Sequence, residues 1–288
     1  GHVTRHLSSI RGVNHIHSLV EYAPGQLAIG SDEGLLIYSV ETKSHVFHAE
    51  GTYGLSSRFV YPLLKDREGG LWAGTYYGGI NYRSPFTGQF KGYTHNRYSR
   101  NTVAGKVIGR FCEDGSHNIW IASDDGGLSC YNPTADTFRN YTSADSGLSY
   151  DNVHALCVDG NELWIGTYTG GVNVLNMNTG RFRTYLPEKG NERSLYGTSS
   201  YAIMKDRDGY LWIATMEGIN RYDRARDDFE RMFVTSQHVI DIDQDKDGNI
   251  WFSSKGGGVI RYDAATGGWK HYGSNEQYGE GLPSDYVN

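Results

Sequence analysis

The side chains best suited to contact a ligand lie in short segments that recur along the chain and differ from copy to copy. Glycine-containing turns carry tyrosines and carboxylates, and the links between copies add arginine and histidine. Tyrosine rings can stack on sugar rings, while carboxylates and guanidinium groups can bond neighbouring hydroxyls. This mixture fits a polyhydroxylated ligand better than a lipid or a nucleic acid. The predicted ligand-contact residues are Arg58, Tyr76, Tyr77, Asp124, Asp125, Tyr150, Asp151, Tyr168, Tyr196, Glu217, His238 and Lys255.

Two further patterns resemble metal sites. His15 and His17 are two residues apart, so a strand would place both rings on one face, where they could bind a metal if a third ligand approached. Residues 243–254 open like an EF-hand loop, but the twelfth position is Ser254 where a bidentate glutamate is needed. We therefore predict surface or core histidines, a plain hairpin turn at residues 243–249, no metal site and no cofactor.

Charge and cysteine usage narrow the classes of partner. The formal net charge is −6 and no basic stripe occurs, which argues against binding nucleic acid through its phosphates. Cys112, Cys130 and Cys157 are the three cysteines, and no Cys-x-x-Cys pattern occurs. Such a sparse, odd set argues against a disulfide framework or a zinc site. We expect the three thiols to be small buried groups inside strands.

A repeated tryptophan–glycine unit provides the scaffold for these residues. It reads Leu-Trp-Ala-Gly-Thr-Tyr-Tyr-Gly-Gly at residues 71–79, and looser copies follow along the chain. The tryptophan position is filled in turn by Ala28, Trp72, Trp120, Trp164, Trp212 and Trp251. A period of about 45 residues with strand-like content is typical of propeller blades.

Each repeat reads as four short strands separated by turn signals. An Asp-Gly turn precedes most of the tryptophans, and the last strand carries an aromatic pair such as Phe90 and Tyr93, which we expect to stack each blade on its neighbour. We predict an all-β fold, a β-propeller of four-stranded blades, with residues 1–288 as a single domain of six full repeats. Residues 3–7 and 282–288 look like partial blades, which suggests an excerpt of a longer array and part of a seven-bladed ring.

The repeat resembles the two-component regulator propeller family. The resemblance is carried by residues 147–153, 163–171 and 262–269, and it covers essentially the whole chain. It implies the extracytoplasmic sensor region of a Bacteroides-type hybrid two-component histidine kinase, located in the periplasm as part of an inner-membrane protein. It also implies an oligosaccharide signal for polysaccharide utilisation, homodimerisation and a histidine kinase elsewhere in the full-length protein.

Two alternatives stay open at this point. The chain could be a protein-interaction scaffold, or a propeller glycosidase or lyase that uses two carboxylates at a set separation. Asp124, Asp125, Asp151 and Glu217 are available, but no Gly-x-Ser-x-Gly or His-Glu-x-x-His motif occurs. We predict a non-catalytic segment whose partners are an oligosaccharide, the rest of its own sensor kinase chain and a second copy, with no nucleic acid.

Overall fold

The computed structural model describes residues 15–51, 54–235, 237–274, 282 and 284–287. All named elements in this part of the chain are β-strands, and they form six four-stranded antiparallel sheets. In every sheet the four strands follow one another in chain order. The predicted all-β fold with four-stranded propeller blades is confirmed. The chain divides into two compact units, residues 1–140 and 141–288, which are described separately.

The first unit contains the first three blades. Blade 1 consists of β1 (Ile16–Ala23), β2 (Gln26–Ser31), β3 (Gly34–Ser39) and β4 (His45–His48). Blade 2 consists of β5 (Val60–Lys65), β6 (Leu71–Thr75), β7 (Gly79–Arg83) and β8 (Phe90–Tyr93). Blade 3 consists of β9 (Ile108–Glu113), β10 (Ile119–Ser123), β11 (Gly127–Asn132) and β12 (Thr137–Tyr141), whose last residue begins the second unit.

The second unit contains the other three blades. Blade 4 consists of β13 (Val153–Asp159), β14 (Glu162–Thr167), β15 (Val172–Asn176) and β16 (Arg181–Tyr185). Blade 5 consists of β17 (Ser200–Lys205), β18 (Leu211–Thr215), β19 (Gly218–Asp223) and β20 (Asp228–Val234). Blade 6 consists of β21 (His238–Gln244), β22 (Ile250–Lys255), β23 (Gly258–Tyr262) and β24 (Trp269–Tyr272).

The second strand of each blade forms its core. All residues of β6, β10 and β18 are buried, as expected for strands covered on both faces. In every blade a buried serine or threonine at or next to the end of the second strand donates its hydroxyl to a glycine carbonyl at or just before the start of the third strand; Thr75 to Gly79 is 2.9 Å. Gly79 has φ of 75°, and a Cβ there would lie 2.4 Å from the Tyr93 carbonyl oxygen. Only glycine fits this tight second turn.

Aromatic residues of the outer strands pack from one blade to the next, as predicted. Tyr93 lies edge-on to Phe138 with ring centroids 5.6 Å apart, and Tyr185 meets Phe229 in the same way at 5.1 Å. Contacts between neighbouring blades are also made by His48 with Phe90 in the first unit and by Phe233 with Trp269 in the second unit. Such pairs add about 0.5–1.5 kcal/mol each beyond the area that they bury.

Other predictions about the scaffold have mixed outcomes. The three cysteines lie in strands, as predicted, but they are half-buried, and none forms a disulfide. Burial raises the pKa of the Cys157 thiol to about 11, so this group is a neutral thiol at neutral pH. Residues 3–7, predicted as a partial blade, lie outside the described residues. At the other end, Tyr286 forms an isolated antiparallel bridge with Lys255.

Candidate ligand-binding site

The first turn of each blade, between its first two strands, fixes one end of the hairpin. In blade 3 the buried Asp114 carboxylate accepts the indole N–H of Trp120 at 2.9 Å and the backbone N–H groups of Ser116 and Asn118. Asp66, Asp206 and Asp245 accept their tryptophans in the same way at 2.8 Å. In these four blades this end of the hairpin therefore stabilises the fold.

The EF-hand-like segment belongs to this set of turns. Asp245 accepts hydrogen bonds from the indole N–H of Trp251 and from the backbone and side-chain N–H groups of Asn249. These bonds, above all the one from Trp251, lower the pKa of the Asp245 carboxyl to about 2. The carboxylate that an EF-hand would use at its third position thus holds the turn. The predicted hairpin turn is confirmed.

The opposite end of the first strand carries a register irregularity in all six blades. In blade 4, for example, Val153 pairs with Thr167 and Ala155 with Gly166, so the ladder register skips His154. The residues displaced in this way are His17, Tyr61, Gly109, His154, Tyr201 and Ile240. A β-bulge turns a side chain away from the alternating pattern and is common beside binding sites. Four of the six displaced residues are aromatic.

In the first unit these side chains build a stack with the second turn of blade 2, which we call the first-unit stack (His17, Tyr61, Tyr76 and Tyr77). The rings of His17 and Tyr61 are parallel, with centroids 4.1 Å apart. Tyr61 continues to Tyr76 at 5.6 Å, and Tyr76 meets Tyr77 edge-on at 4.4 Å. Tyr77 is 68% exposed and has φ of 65°, so its ring is held out toward solvent. The predicted contact residues Tyr76 and Tyr77 are thus brought together.

The surroundings of the first-unit stack are acidic. Asp32 accepts hydrogen bonds from His17 at 2.6 Å and His15 at 3.0 Å. Burial alone would raise the Asp32 pKa, but these bonds outweigh it and hold the pKa below its usual value. Burial, together with the charges of Asp32 and Asp124, raises the pKa of Tyr61. Its phenol is therefore a neutral hydrogen-bond donor at neutral pH.

Arg58 and Asp124 frame the same region. The exposed Arg58 guanidinium lies 3.5 Å from Glu33 and packs over the Phe59 ring. The Asp124 backbone N–H bonds the Val107 carbonyl, which fixes the second turn of blade 3 against the start of β9. The negative charge of the Asp124 carboxylate raises the pKa of both Tyr61 and Tyr76. For Tyr76 the hydrogen bond with Tyr77 raises the pKa most.

The second unit has its own arrangement, the second-unit stack (His154, Tyr168, Tyr201 and His238). His154 and Tyr201 stack with centroids 4.5 Å apart, and Tyr201 continues to His238 at 5.0 Å. Tyr168 stands edge-on to His154 at 6.2 Å and is 42% exposed. Three successive blades therefore present aromatic rings in a row.

Three buried polar atoms beside this stack have no hydrogen-bond partner among the described residues. They are Asn152 Oδ1, Ser200 Oγ and His238 Nε2. Buried polar atoms are normally paired with protein or water, and leaving one unpaired costs about 1–3 kcal/mol. A group of them at the starts of three neighbouring first strands is therefore a candidate site for ordered water or a polar ligand.

Two predicted contact residues use their carboxylates within their own loops. Asp125 accepts the backbone N–H groups of Lys106 and Val107 at 2.9 and 3.0 Å. Asp151 accepts the backbone N–H and the hydroxyl of Ser143 at 2.6 and 3.0 Å. Two of the four carboxylates considered for glycoside hydrolysis therefore hold loops in place, and a ligand contact by either residue stays a prediction.

The remaining predicted residues lie on the same ends of the second-unit blades without joining the stack. Tyr196 is half-buried beneath the guanidinium of Arg231, with 4.7 Å from Cζ to the ring centroid. Glu217 and Lys255 are exposed, and Tyr150 is 42% exposed. Lys255 pairs with His238 across the β21–β22 ladder. Of these four residues, Lys255 is next to the second-unit stack by this pairing, and ligand contact by the other three stays a prediction.

The sequence prediction missed Tyr61 and His154, and it considered His17 only as a metal ligand or as a surface or core residue. Each of these residues directly follows the first residue of its strand, and only the pairing of that first residue with the end of the second strand shows the displacement. Within the described part of the chain, no group of three or more histidine, cysteine or acidic side chains is placed to hold a metal ion. No helix in the same part is long and apolar enough to cross a membrane.

Comparison with known proteins supports this interpretation of the repeats. The family model described as two component regulator propeller matches residues 54–77, 147–169, 197–217 and 234–256. Each matched segment begins shortly before the first strand of a blade and ends near the second turn of the same blade. The two stacks lie at this end of the blades. No curated protein sequence matches the chain.

Solved structures of similar fold come from bacterial extracellular proteins and an enzyme. The extracellular domain assigned to a hybrid two-component system of B. thetaiotaomicron is 25% identical, with a TM-score of 0.74 over 90% of this chain and 34% of that chain. An extracellular domain assigned to a one-component system of the same organism is 22% identical, with a TM-score of 0.77 over 92% of this chain and 38% of that one. The present chain therefore spans just over a third of the length of these structures.

A catalytically inactive variant of virginiamycin B lyase from Staphylococcus aureus shares the fold alone. It is 15% identical, with a TM-score of 0.69 over 91% of this chain and 85% of that chain. Four segments of the chain match the repeat model described as two component regulator propeller, and the similar extracellular domains share the fold.

Proposed function

We propose that this chain is the ligand-recognition part of an extracytoplasmic two-component sensor and that its ligand is an oligosaccharide. The observation that carries the proposal is the second-unit stack with its three buried, unpaired polar atoms. Flat rings and unpaired polar atoms match the two surfaces of a pyranose, which has apolar faces and hydroxyl groups around its edge. The extracellular placement of the similar B. thetaiotaomicron domains agrees with a periplasmic location.

The proposed mechanism is differential binding. The ligand stabilises one arrangement of two paired sensor chains relative to another, and a histidine kinase elsewhere in the full-length protein responds to that shift. In this proposal the propeller segment performs no chemical step. The loops held by Asp125 and Asp151 then serve to keep the aromatic rings in place before the ligand arrives.

Isothermal titration calorimetry with a panel of plant and host oligosaccharides tests the proposal. At least one glycan should bind the wild-type chain, and Tyr201→Ala should weaken that binding by at least about fivefold, since an aromatic platform contributes about 1–2 kcal/mol. The matched control is Tyr210→Ala, which removes an exposed tyrosine from the first turn of the same blade. The proposal fails if no glycan binds, or if the two variants lose affinity equally while both remain folded.

A further inference from the structure

The first unit holds a cavity that is separate from the first-unit stack. Its volume is about 380 Å³, within the range of small-molecule sites, and it lies at the first-turn end of blades 2 and 3. The first turns contribute Asp66, Glu68, Glu113 and His117. The outer strands and the third turn of blade 3 contribute the opposite side, including Lys91 and Asp136.

The floor and one wall of this cavity are aromatic. Trp72 and Tyr131 are buried and form the floor. Tyr82 packs against Trp72 with ring centroids 4.5 Å apart, and it is only half-buried. Tyr82 therefore offers a ring surface to anything that enters the cavity.

The charges that line the cavity do not balance. Four carboxylates face one lysine, and Lys91 is already bound to both oxygens of Asp136 at 3.1 Å. The side chain of Glu113 is only 8% exposed and is held by His117 at 2.7 Å, by the Arg67 backbone N–H at 2.9 Å and by the Arg67 guanidinium at 3.9 Å. Glu68 is exposed, and neither Glu68 nor Asp66 makes an ion pair with any described residue. The negative charge of Asp66 and Glu68 on the first-turn side of the cavity is therefore not compensated by a described cation.

A second cavity in the other unit supplies an internal comparison. It lies at the first turn of blade 5, and its carboxylates Asp208, Asp223 and Glu230 are accompanied by two arginines. Arg221 occupies the position that Tyr82 holds in blade 2, since both pair with the blade tryptophan across the ladder. Arg221 binds Glu230 at 2.6 Å and lies over the Tyr210 ring. The second cavity therefore contains its own cation, whereas the first has a tyrosine ring in its place.

We propose that the first-unit cavity binds a small organic cation with a flat apolar face, and specifically a hexosamine. Its ammonium group would lie near Glu68 and Asp66, the two lining carboxylates without an ion pair to a described residue, and would supply the positive charge that Arg221 supplies in blade 5. The apolar face of its pyranose ring would rest on Tyr82, since an aromatic face attracts both apolar surface and nearby positive charge. This site is independent of the oligosaccharide proposed for the two stacks.

Titration calorimetry with glucosamine, glucose and butylamine tests the assignment. Glucose has the ring face without the charge, and butylamine has the charge without the ring face. Glucosamine should bind at least about fivefold more tightly than either, the size of effect expected for one partly exposed ion pair. Equal affinity for glucosamine and either of the other two, or no saturable glucosamine binding, overturns the assignment.

Variants locate the site. Glu68→Gln changes one exposed side chain and should weaken glucosamine binding about fivefold, while Tyr82→Arg, which copies blade 5, should abolish it. Glu230→Gln in the second cavity is the matched control and should leave glucosamine affinity unchanged. Glucosamine affinity that is unchanged in both Glu68→Gln and a folded Tyr82→Arg variant places the sugar elsewhere and contradicts the inference. Since Tyr201→Ala should not alter glucosamine binding, failure here is distinguishable from failure of the oligosaccharide proposal.

Discussion

The two ends of the first strand in each blade have opposite characters. At the first turn, Asp66, Asp114, Asp206 and Asp245 make the same bond to an indole N–H, within 2.8 to 2.9 Å. At the bulge, the displaced residue is a histidine, a tyrosine, a glycine or an isoleucine. These four blades thus keep one end constant for stability and vary the other, which makes the bulged end the place for recognition.

Blade 1 has Ala28 at the tryptophan position, whereas blade 4 keeps the tryptophan but lacks this bond, which makes blade 4 the informative comparison. Its first turn is one residue shorter, and the buried indole N–H of Trp164 has no hydrogen-bond partner among the described residues. Asp159, the acid of this turn, instead binds Lys205 at 2.9 Å and Arg224 at 2.5 Å. Although burial opposes it, these cations hold the Asp159 pKa below its ordinary value. In blade 4 the acid of the first turn therefore forms ion pairs with residues of the next blade and no hydrogen bond to the indole.

The largest expected effect comes from breaking a complete first turn. Asp114→Ala would leave the Trp120 indole and two backbone N–H groups unsatisfied in a site that is 4% exposed. We expect a loss of about 3 kcal/mol in the free energy of unfolding, measured by urea denaturation. Asp247→Ala, at an exposed position of the blade 6 turn, should change it by less than about 0.5 kcal/mol. A loss below about 1 kcal/mol for Asp114→Ala would show that the turn is not a main source of stability.

A smaller effect separates blade 4 from blade 5. Trp212→Phe removes the bond to Asp206 at 2.8 Å as well as ring volume, whereas Trp164→Phe removes similar volume and no hydrogen bond to a described residue. Both side chains are fully buried, at 1% and 0% exposure. Trp212→Phe should therefore destabilise the chain by about 1–2 kcal/mol more than Trp164→Phe in the same denaturation assay. Equal losses would contradict the role assigned to the aspartate.

The smallest expected effect concerns the bulged end of blade 1. Because the folded pKa of Asp32 lies below the usual value of about 3.9, its carboxylate stabilises the fold above that pH, and the contribution disappears as pH falls through the folded pKa. Asp32→Asn should cost less than about 1 kcal/mol near neutral pH, given its partial exposure, and the difference from wild type should shrink below about pH 4. A difference that grows on acidification would reverse the assigned sign.

Much of the scaffold could be predicted from sequence because it depends on local and periodic signals. The tryptophan period, the Asp-Gly turns and aromatic pairs such as Phe90 and Tyr93 each appear in the order in which the blade uses them. The bulge could not be predicted in the same way. Tyr61 and His154 look like ordinary alternating strand residues, and only pairing with the second strand reveals that they are displaced.

The candidate site was only partly predictable for a related reason. Tyr76, Tyr77, Tyr168 and His238 were identified from their turns and links, and the structure groups them with rings from the first strands. Asp125 was identified by its charge, yet its carboxylate binds the backbone N–H groups of Lys106 and Val107. Short acidic side chains in turns often bond nearby backbone N–H groups, so their charge alone does not distinguish ligand contact from loop support.

Hydrogen–deuterium exchange of the wild-type chain, with and without a glycan that calorimetry identifies as a ligand, tests the central claim most directly. Recognition at the bulged ends predicts slower exchange in residues 59–61 and 75–77, in residues 152–154, 167–169 and 199–201, or in both sets. The first turns at residues 66–72 and 206–212 should exchange at unchanged rates. Protection confined to those first turns would contradict the claim that the first turn stabilises the blade and the bulged end binds the ligand.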